Sequence, residues 1–162
     1  LLKVQQKETL NDDDILDKAV RSEGRVIALD PGTVRIGCAI SDEMRLIATP
    51  LAPIARQSWK KLLAAVKTTI AKYDAAVLVV GLPLNTDGSE SPMSSDAREM
   101  ARKFALSVDI PVVLQDERVT SYEARKRLWD RGLDPEETRK YVDSEAAAII
   151  LADYLDRAKA NK

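Results

Sequence analysis

The sequence predicts an α/β domain: a mixed five-stranded sheet flanked by helices, with elements in the order β-β-β-α-β-α-β-α-α. Three observations predict it. Short apolar runs, "RVIALD" (25–30), "AAVLVVGLP" (75–83) and "IPVVLQDE" (110–117), are bounded by turn residues, as strands buried on both faces are. Stretches of helical period separate and follow them, which makes these three strands parallel, joined by right-handed crossovers. The first run is followed by two more strand-like runs at spacings too short for a crossover, so those neighbours are antiparallel.

The elements follow in order. Residues 1–24 lack a clear apolar period and read as an N-terminal extension, either a peripheral helix over "DDDILDKAV" or a mobile segment. "RVIALD" is nearly continuous in its apolar character and belongs at the centre of the sheet. In "IGCAIS", Ile36, Cys38 and Ile40 face one way and Gly37, Ala39 and Ser41 the other, a small face that permits close packing. "SDEM" is a turn, and "RLIATPLAPI" is a third strand whose Pro50 and Pro53 place it at an edge. From Ser58 to Tyr73, Leu62, Val66 and Ile70 repeat at helical spacing. "LNTDGSES" is a loop. Ser91 caps the next helix with Pro92 in its first position, and Ala97, Met100, Ala101, Phe104 and Ala105 continue it. "TSYEARKRLWDR" reads as a helix stopped by Gly132. "DPEE" is a further helix start, with Asp134 as cap, Pro135 first and Glu137 bonding back. The last helix reads "DSEAAAIILADYLDRA".

A chain of 162 residues, 45% hydrophobic and 31% charged, is enough for one domain with a substantial core. No apolar run is long enough to cross a bilayer and no secretory pattern stands at the start, so the expectation is a cytoplasmic protein with no membrane partner. The chain opens on Leu1 rather than Met, which leaves its natural start open. A net charge of −1 gives no general attraction for polyanions, and binding one would need a local patch or metal ions.

The residue inventory excludes more than it suggests. The chain has no His, which removes Ser-His-Asp and Cys-His catalysis and His metal ligands. It has one Cys, Cys38, so neither a Cys/His zinc site nor an internal disulfide can form; Cys38 reads as a small buried hydrophobe. Carboxylates, Lys, Arg, hydroxyls and backbone remain, and carboxylates suit Mg²⁺ or Mn²⁺.

Two buried strands end in acid: Asp30 after the first, Asp116-Glu117 after the last. Parallel strands deliver both to one sheet edge, where open α/β sheets place their ligands. Asp143 stands at the start of the last helix on a face with Ala146, Ala147, Ile150 and Tyr154, which points it inward. Three converging carboxylates repel one another unless a cation sits among them. Each acid alone has an ordinary reading. Asp30 shapes the Pro-Gly turn, Asp143 caps its helix, and Glu117 pairs with Arg118 or Arg125.

Four blocks, "ALDPGTVRIGCAISD", "VVGLPLNTDGSES", "VVLQDERVTSYEA" and "VDSEAAAIILADYLD", resemble the signature blocks of the YqgF (RuvX) family of Holliday-junction-resolvase-like nucleases, over residues 25 to about 157. The resemblance implies a ribonuclease H-like fold and a nuclease domain over 25–162. The family's acids fall on Asp30 in "LDPG", Glu117 in "DER" and Asp143 in "VDS". The acid that RuvC-type resolvases use after the fourth strand is absent; "GLPLN" stands there, and the acid follows the fifth strand instead.

The mechanism this implies is two-metal hydrolysis of a phosphodiester, with Asp30, Glu117 and Asp143 as both catalytic and metal-binding residues and Mg²⁺ or Mn²⁺ as cofactor. The expected products are a 5′-phosphate and a 3′-hydroxyl. Gly32, Thr33, Arg35, Asn85 and Arg118 are candidate substrate-binding residues at the same edge. Gly32 equally fits a plain tight turn, Arg35 a solvated strand start, and Asn85 a loop clasp. Tyr122, Arg125, Lys126 and Trp129 could support a nucleic-acid strand, though Tyr122 and Trp129 read more simply as packing residues. The resemblance implies processing of the 5′ end of the 16S ribosomal RNA precursor. The alternatives are resolution of four-way DNA junctions and a non-catalytic assembly factor. The partner is thus structured RNA or branched DNA, bound by a monomer or weak homodimer. "DPGT" also occurs in sugar-kinase and actin-like phosphate loops, but those need two such domains, and no "GxxxxGK[ST]" is present.

Overall fold

The computed structural model describes residues 11–117, 126, 130, 132 and 135–161, with the backbone alone described over 135–143. Five strands, β1 (Arg25–Pro31), β2 (Arg35–Ser41), β3 (Ala48–Ala55), β4 (Ala75–Leu82) and β5 (Val112–Asp116), form one sheet in the order β3-β2-β1-β4-β5. β1 pairs antiparallel with β2 and parallel with β4; β2 and β3 are antiparallel, β4 and β5 parallel. The mixed sheet follows from connection length: two short turns join β1 to β3, while helices join the rest. β3, with its two prolines, is an edge strand.

The helices delimited among the described residues are α1 (Asp12–Arg21), α2 (Trp59–Tyr73), α3 (Pro92–Ser107) and α4 (Pro135–Ala160). The starts of the first three are set by side chains that satisfy otherwise unpaired N–H groups. Asn11 accepts from Asp14 N, Ser58 from Lys61 N, and Ser91 forms a reciprocal capping box with Ser94, with Pro92 in the first turn. α2 stops where Asp74 turns left-handed at φ 50°. Of the expected helix over "TSYEARKRLWDR" only Lys126 and Asp130 are described, both helical; the rest lies outside the described residues, as do Asp134 and the side chain of Glu137.

One expectation needs correction. The last helix does not begin at Asp143; α4 is continuous from Pro135 to Ala160. After Pro135 the intervening residues contain no Gly or Pro, so nothing stops a helix that has started. Asp143 is therefore helix interior, and its reading as an N-cap falls.

Strand alternation divides the core between the two sheet faces. On one face Ile27, Leu29, Ile36, Cys38, Ile40, Leu78 and Val80 pack with Leu62 and Val66 of α2 and Met100, Ala101 and Phe104 of α3. Fully burying a side chain such as Phe104 stabilises by about 1.5–3 kcal/mol. Burial also pushes the Cys38 thiol up to about 12, which keeps it an inert hydrophobe. On the other face Val26, Ala28, Ala39, Val77 and Val79 receive Ala147, Ile150, Leu151 and Tyr154 of α4. Small residues on both partners let the long helix lie close against the strands.

α1 docks on that second face through Ala19, which is fully buried. Arg45, itself buried and held at φ 56°, fixes its end. The guanidinium donates to Gly24 O (2.8 Å), Ala19 O (3.2 Å) and Ser22 Oγ (3.0 Å). Among the described residues, no helix is long and apolar enough to cross a membrane.

Candidate active site

The site is built at the carboxyl ends of the parallel strands. β1, β4 and β5 run the same way, so Asp30 and Glu117 reach the same edge. Leu29 is level with Val80, which brings Asp30 level with Gly81 one residue later. On its other side Asp30 pairs with Gly37. Leu82 pairs with Asp116, and Glu117 N donates to Leu82 O at 2.9 Å. Alternation from Val26 and Ala28, from Val77 and Val79, and from Val113 puts Asp30, Gly81 and Glu117 on the face that α4 covers.

β4 lies between the two acids. Neighbouring strands are about 4.8 Å apart, so the two acid-bearing segments are separated by roughly twice that. The Glu117 side chain nevertheless returns across β4 to Asp30. Its carboxyl is pushed far above the usual carboxylate range, to about 9. Burial is the largest cause, followed by the negative charge of Asp30 and by the hydrogen bond the two acids share. Among the described residues, Glu117 Oε2 is buried with no hydrogen-bond partner.

These features fit a divalent cation. A hard oxygen pair, one member retaining its proton in the absence of compensating charge and offering a buried oxygen without a partner, is a donor set suited to Mg²⁺ or Mn²⁺. Among the described residues no group of three such ligands occurs. Asp143 lies in α4, one turn before Ala147 and two before Ile150, and its side chain is outside the described residues, as is all of Arg118.

The remaining candidates divide. Gly32 belongs to the turn itself: a Cβ there would stand 2.2 Å from the backbone oxygen of Arg35, so the turn admits only glycine. Thr33 and Arg35 are exposed beside it. Asn85 clasps its own loop. Its Nδ2 donates to Ser89 Oγ (2.9 Å) and Glu90 O (3.2 Å), and its backbone N–H donates to Ser89 O (2.9 Å).

Arg56 was not among the candidates. Its Nη1 donates to Gly32 O (2.9 Å), its backbone N–H to Val34 O (3.0 Å), and its Nη2 to both carboxylate oxygens of Asp96 on α3 (2.7 and 2.6 Å). It ties the turn after Asp30 to a helix on the opposite face. No signal in the sequence marks it: only the pairing of Ala55 with Arg35 in the folded sheet places the residue after Ala55 beside the turn that precedes Arg35.

A five-stranded mixed sheet with acids at the ends of its first and fifth strands defines a ribonuclease H-like fold with a carboxylate site. Comparison with solved structures agrees for the fold. RuvC of Thermus thermophilus superposes with a TM-score of 0.50 at 15% identity, over 82% of this chain and 95% of that one. Fowlpox virus resolvase, in complex with Holliday junction DNA, gives 0.50 at 13%, over 82% and 97%. The family model described as RuvX, Holliday junction resolvase, matches residues 24–157. A protein of Anaeromyxobacter dehalogenans strain 2CP-1, named "Putative pre-16S rRNA nuclease", is 43% identical over 133 residues, 82% of this chain and 97% of its own. One of the same name from Roseiflexus sp. strain RS-1 is 39% identical over 82% and 94%. The chain belongs to the RuvX family.

Proposed function

We propose that the chain is a metal-dependent nuclease that hydrolyses phosphodiester bonds, acting on the 5′ end of the 16S ribosomal RNA precursor. The observation that carries this reading is the Asp30–Glu117 pair, two acids drawn together under α4 with one buried oxygen that has no partner among the described residues. Burying two acids side by side, so that one is forced to keep its proton, costs stability and contributes nothing to packing. A non-catalytic scaffold has no use for such a pair, which disfavours the assembly-factor reading. The substrate assignment is supported by relatives named for pre-16S rRNA, matched over nearly their whole length.

In this reading Asp30 and Glu117, with Asp143 as third ligand, hold one or two Mg²⁺ or Mn²⁺ ions. When bound, the ions make a nucleophile of water near neutral pH and offset charge on the scissile phosphate and its leaving oxygen. The chain's own residues do the rest. Asp30 and Glu117 would both hold the cation as carboxylates, the proton of the hydrogen bond they share leaving to solvent. The turn over Gly32 and Thr33, braced by Arg56, sets the height at which a phosphate meets Asp30. Arg35, exposed one residue past that turn's last member, offers charge to a neighbouring phosphate. Arg118, next to Glu117 in sequence, is assigned the same role. The partner is therefore nucleic acid.

The test uses purified protein with Mn²⁺ or Mg²⁺, an RNA carrying the 16S 5′ leader, and a four-way DNA junction. Cleavage of the RNA to 5′-phosphate and 3′-hydroxyl ends is expected, with Asp30→Asn reducing it by a factor on the order of 10² or more. Equal activity in the parent and Asp30→Asn would refute the assignment. Cleavage of the junction alone would replace the RNA with branched DNA as substrate.

A further inference from the structure

We propose that Gly81 is a positioning residue: its missing side chain is the slot through which the Glu117 carboxylate crosses β4 to join Asp30. The inference rests on the carboxylate site argued above. The order β1-β4-β5 puts a strand between the two acids, and any side chain on that strand at their level and face stands in the way. The residue there is glycine. A Cβ built on Gly81 would lie 3.1 Å from Glu117 Oε2, 2.7 Å from Ile150 Cδ1 and 3.4 Å from Leu29 O.

Backbone conformation does not demand glycine at this place. Gly81 lies in regular pairing with Gln115, outside the left-handed region, where other residues are at ease. Glycine inside a strand weakens it, so alanine would be preferred if space allowed. The space is already taken: Glu117 fills it from β5's end and Ile150 from α4. With the acid carried beyond the fifth strand rather than the fourth, its reach to the first strand requires an empty position on the strand between.

Two of the three contacts differ in kind, which makes the proposal testable. The Ile150 contact is with the end of a flexible side chain and concerns packing; the Glu117 contact concerns the site. Ile150→Val removes Cδ1 and relieves the first alone. Mn²⁺ affinity, by titration calorimetry, and melting temperature are measured for the parent, I150V, G81A, G81A/I150V and E117Q. The expected result is that G81A/I150V melts close to I150V yet binds Mn²⁺ about tenfold or more weakly, the range seen when a ligand's support is disturbed. Equal Mn²⁺ affinity in I150V and G81A/I150V overturns the proposal while leaving the carboxylate site intact. A parent that does not bind Mn²⁺, or an E117Q variant that binds it as the parent does, overturns the site and this inference with it. Should G81A variants melt too low for titration, the same contact is read in stability. Gly81→Ala should cost less in an E117A background, where the carboxylate is gone, than in the parent. An equal cost in both backgrounds overturns the proposal.

Discussion

Glu117 gives the sharpest test of the site, because the chain has no His and little else titrates near neutrality. Without metal, its carboxyl sits at about 9 in the folded chain, raised chiefly by burial and by Asp30, against 4.5 for the free group. A folded-state value raised above the unfolded one means that stability is greatest below pH 4.5 and is lost as pH climbs towards 9. The slope is at most about 1.4 kcal/mol per pH unit. Between pH 6 and pH 8 the loss is thus up to about 2.7 kcal/mol, and about half that if water reaches the half-buried side chain. A domain of this size shifts by about 2–4 °C per kcal/mol, so the melting temperature should fall by roughly 3–10 °C across that window in EDTA. Glu117→Gln, which cannot ionise, should flatten the profile. Cys38 does not interfere, since its unfolded thiol titrates above the window and its folded one higher still. A flat parent profile between pH 6 and 8, or an unchanged slope in Glu117→Gln, would refute the buried pair.

Three further outcomes follow from the same geometry. Cation binding must displace the proton that Glu117 retains, so the rise in melting temperature with Mn²⁺ should be larger at pH 8 than at pH 6, and Asp30→Asn should abolish the difference. Arg56→Ala and Asp96→Ala should each cost about 1 kcal/mol in urea unfolding, with a coupling of about 0.5 kcal/mol in the double variant, since both side chains are partly exposed. Independent, additive costs would show that the brace on the Gly32 turn is not a unit. Arg45→Ala removes three hydrogen bonds to the end of α1, and trypsin should then cut after Lys18 or Arg21 well before the sheet unfolds; unchanged resistance would show that Ala19 packing alone holds α1.

Much of this arrangement was legible in the sequence because it depends on local pattern. Asp30 and Glu117 end apolar runs, helices intervene between those runs, and parallel delivery to one edge follows from chirality and connection length alone. The small face of β2 was visible as Gly37, Ala39 and Ser41. What was not legible depends on residues distant in sequence and silent in pattern. Gly81 reads within "VVGLP" as one small residue ending a strand; its meaning requires knowing that β4 lies between β1 and β5. Arg56 and Arg45 look like solvated cations, and only the fold shows each bound to backbone oxygens of another segment. Asp143 was misplaced for a local reason. "VDSE" looks like a helix start, but a helix begun at Pro135 meets no breaker before it and runs through.

The relocation of the acid also explains why fold and site are inseparable here. An acid at the end of β4 would neighbour Asp30 directly and could be changed without disturbing the strands around it. An acid beyond β5 reaches Asp30 only across β4, so its placement depends on the β4–β5 register, on Gly81 and on how closely α4 presses Ile150 onto the sheet. The same α4 carries Asp143. A shift of that helix along the sheet would therefore move one proposed ligand directly and displace another through Ile150. The dense packing of Ala147, Ile150, Leu151 and Tyr154 against β1, β2 and β4 resists such a shift. The small residues of the covered face thus do more than admit the helix: they fix the distance between it and the strand ends, and with it the spacing of the proposed ligands.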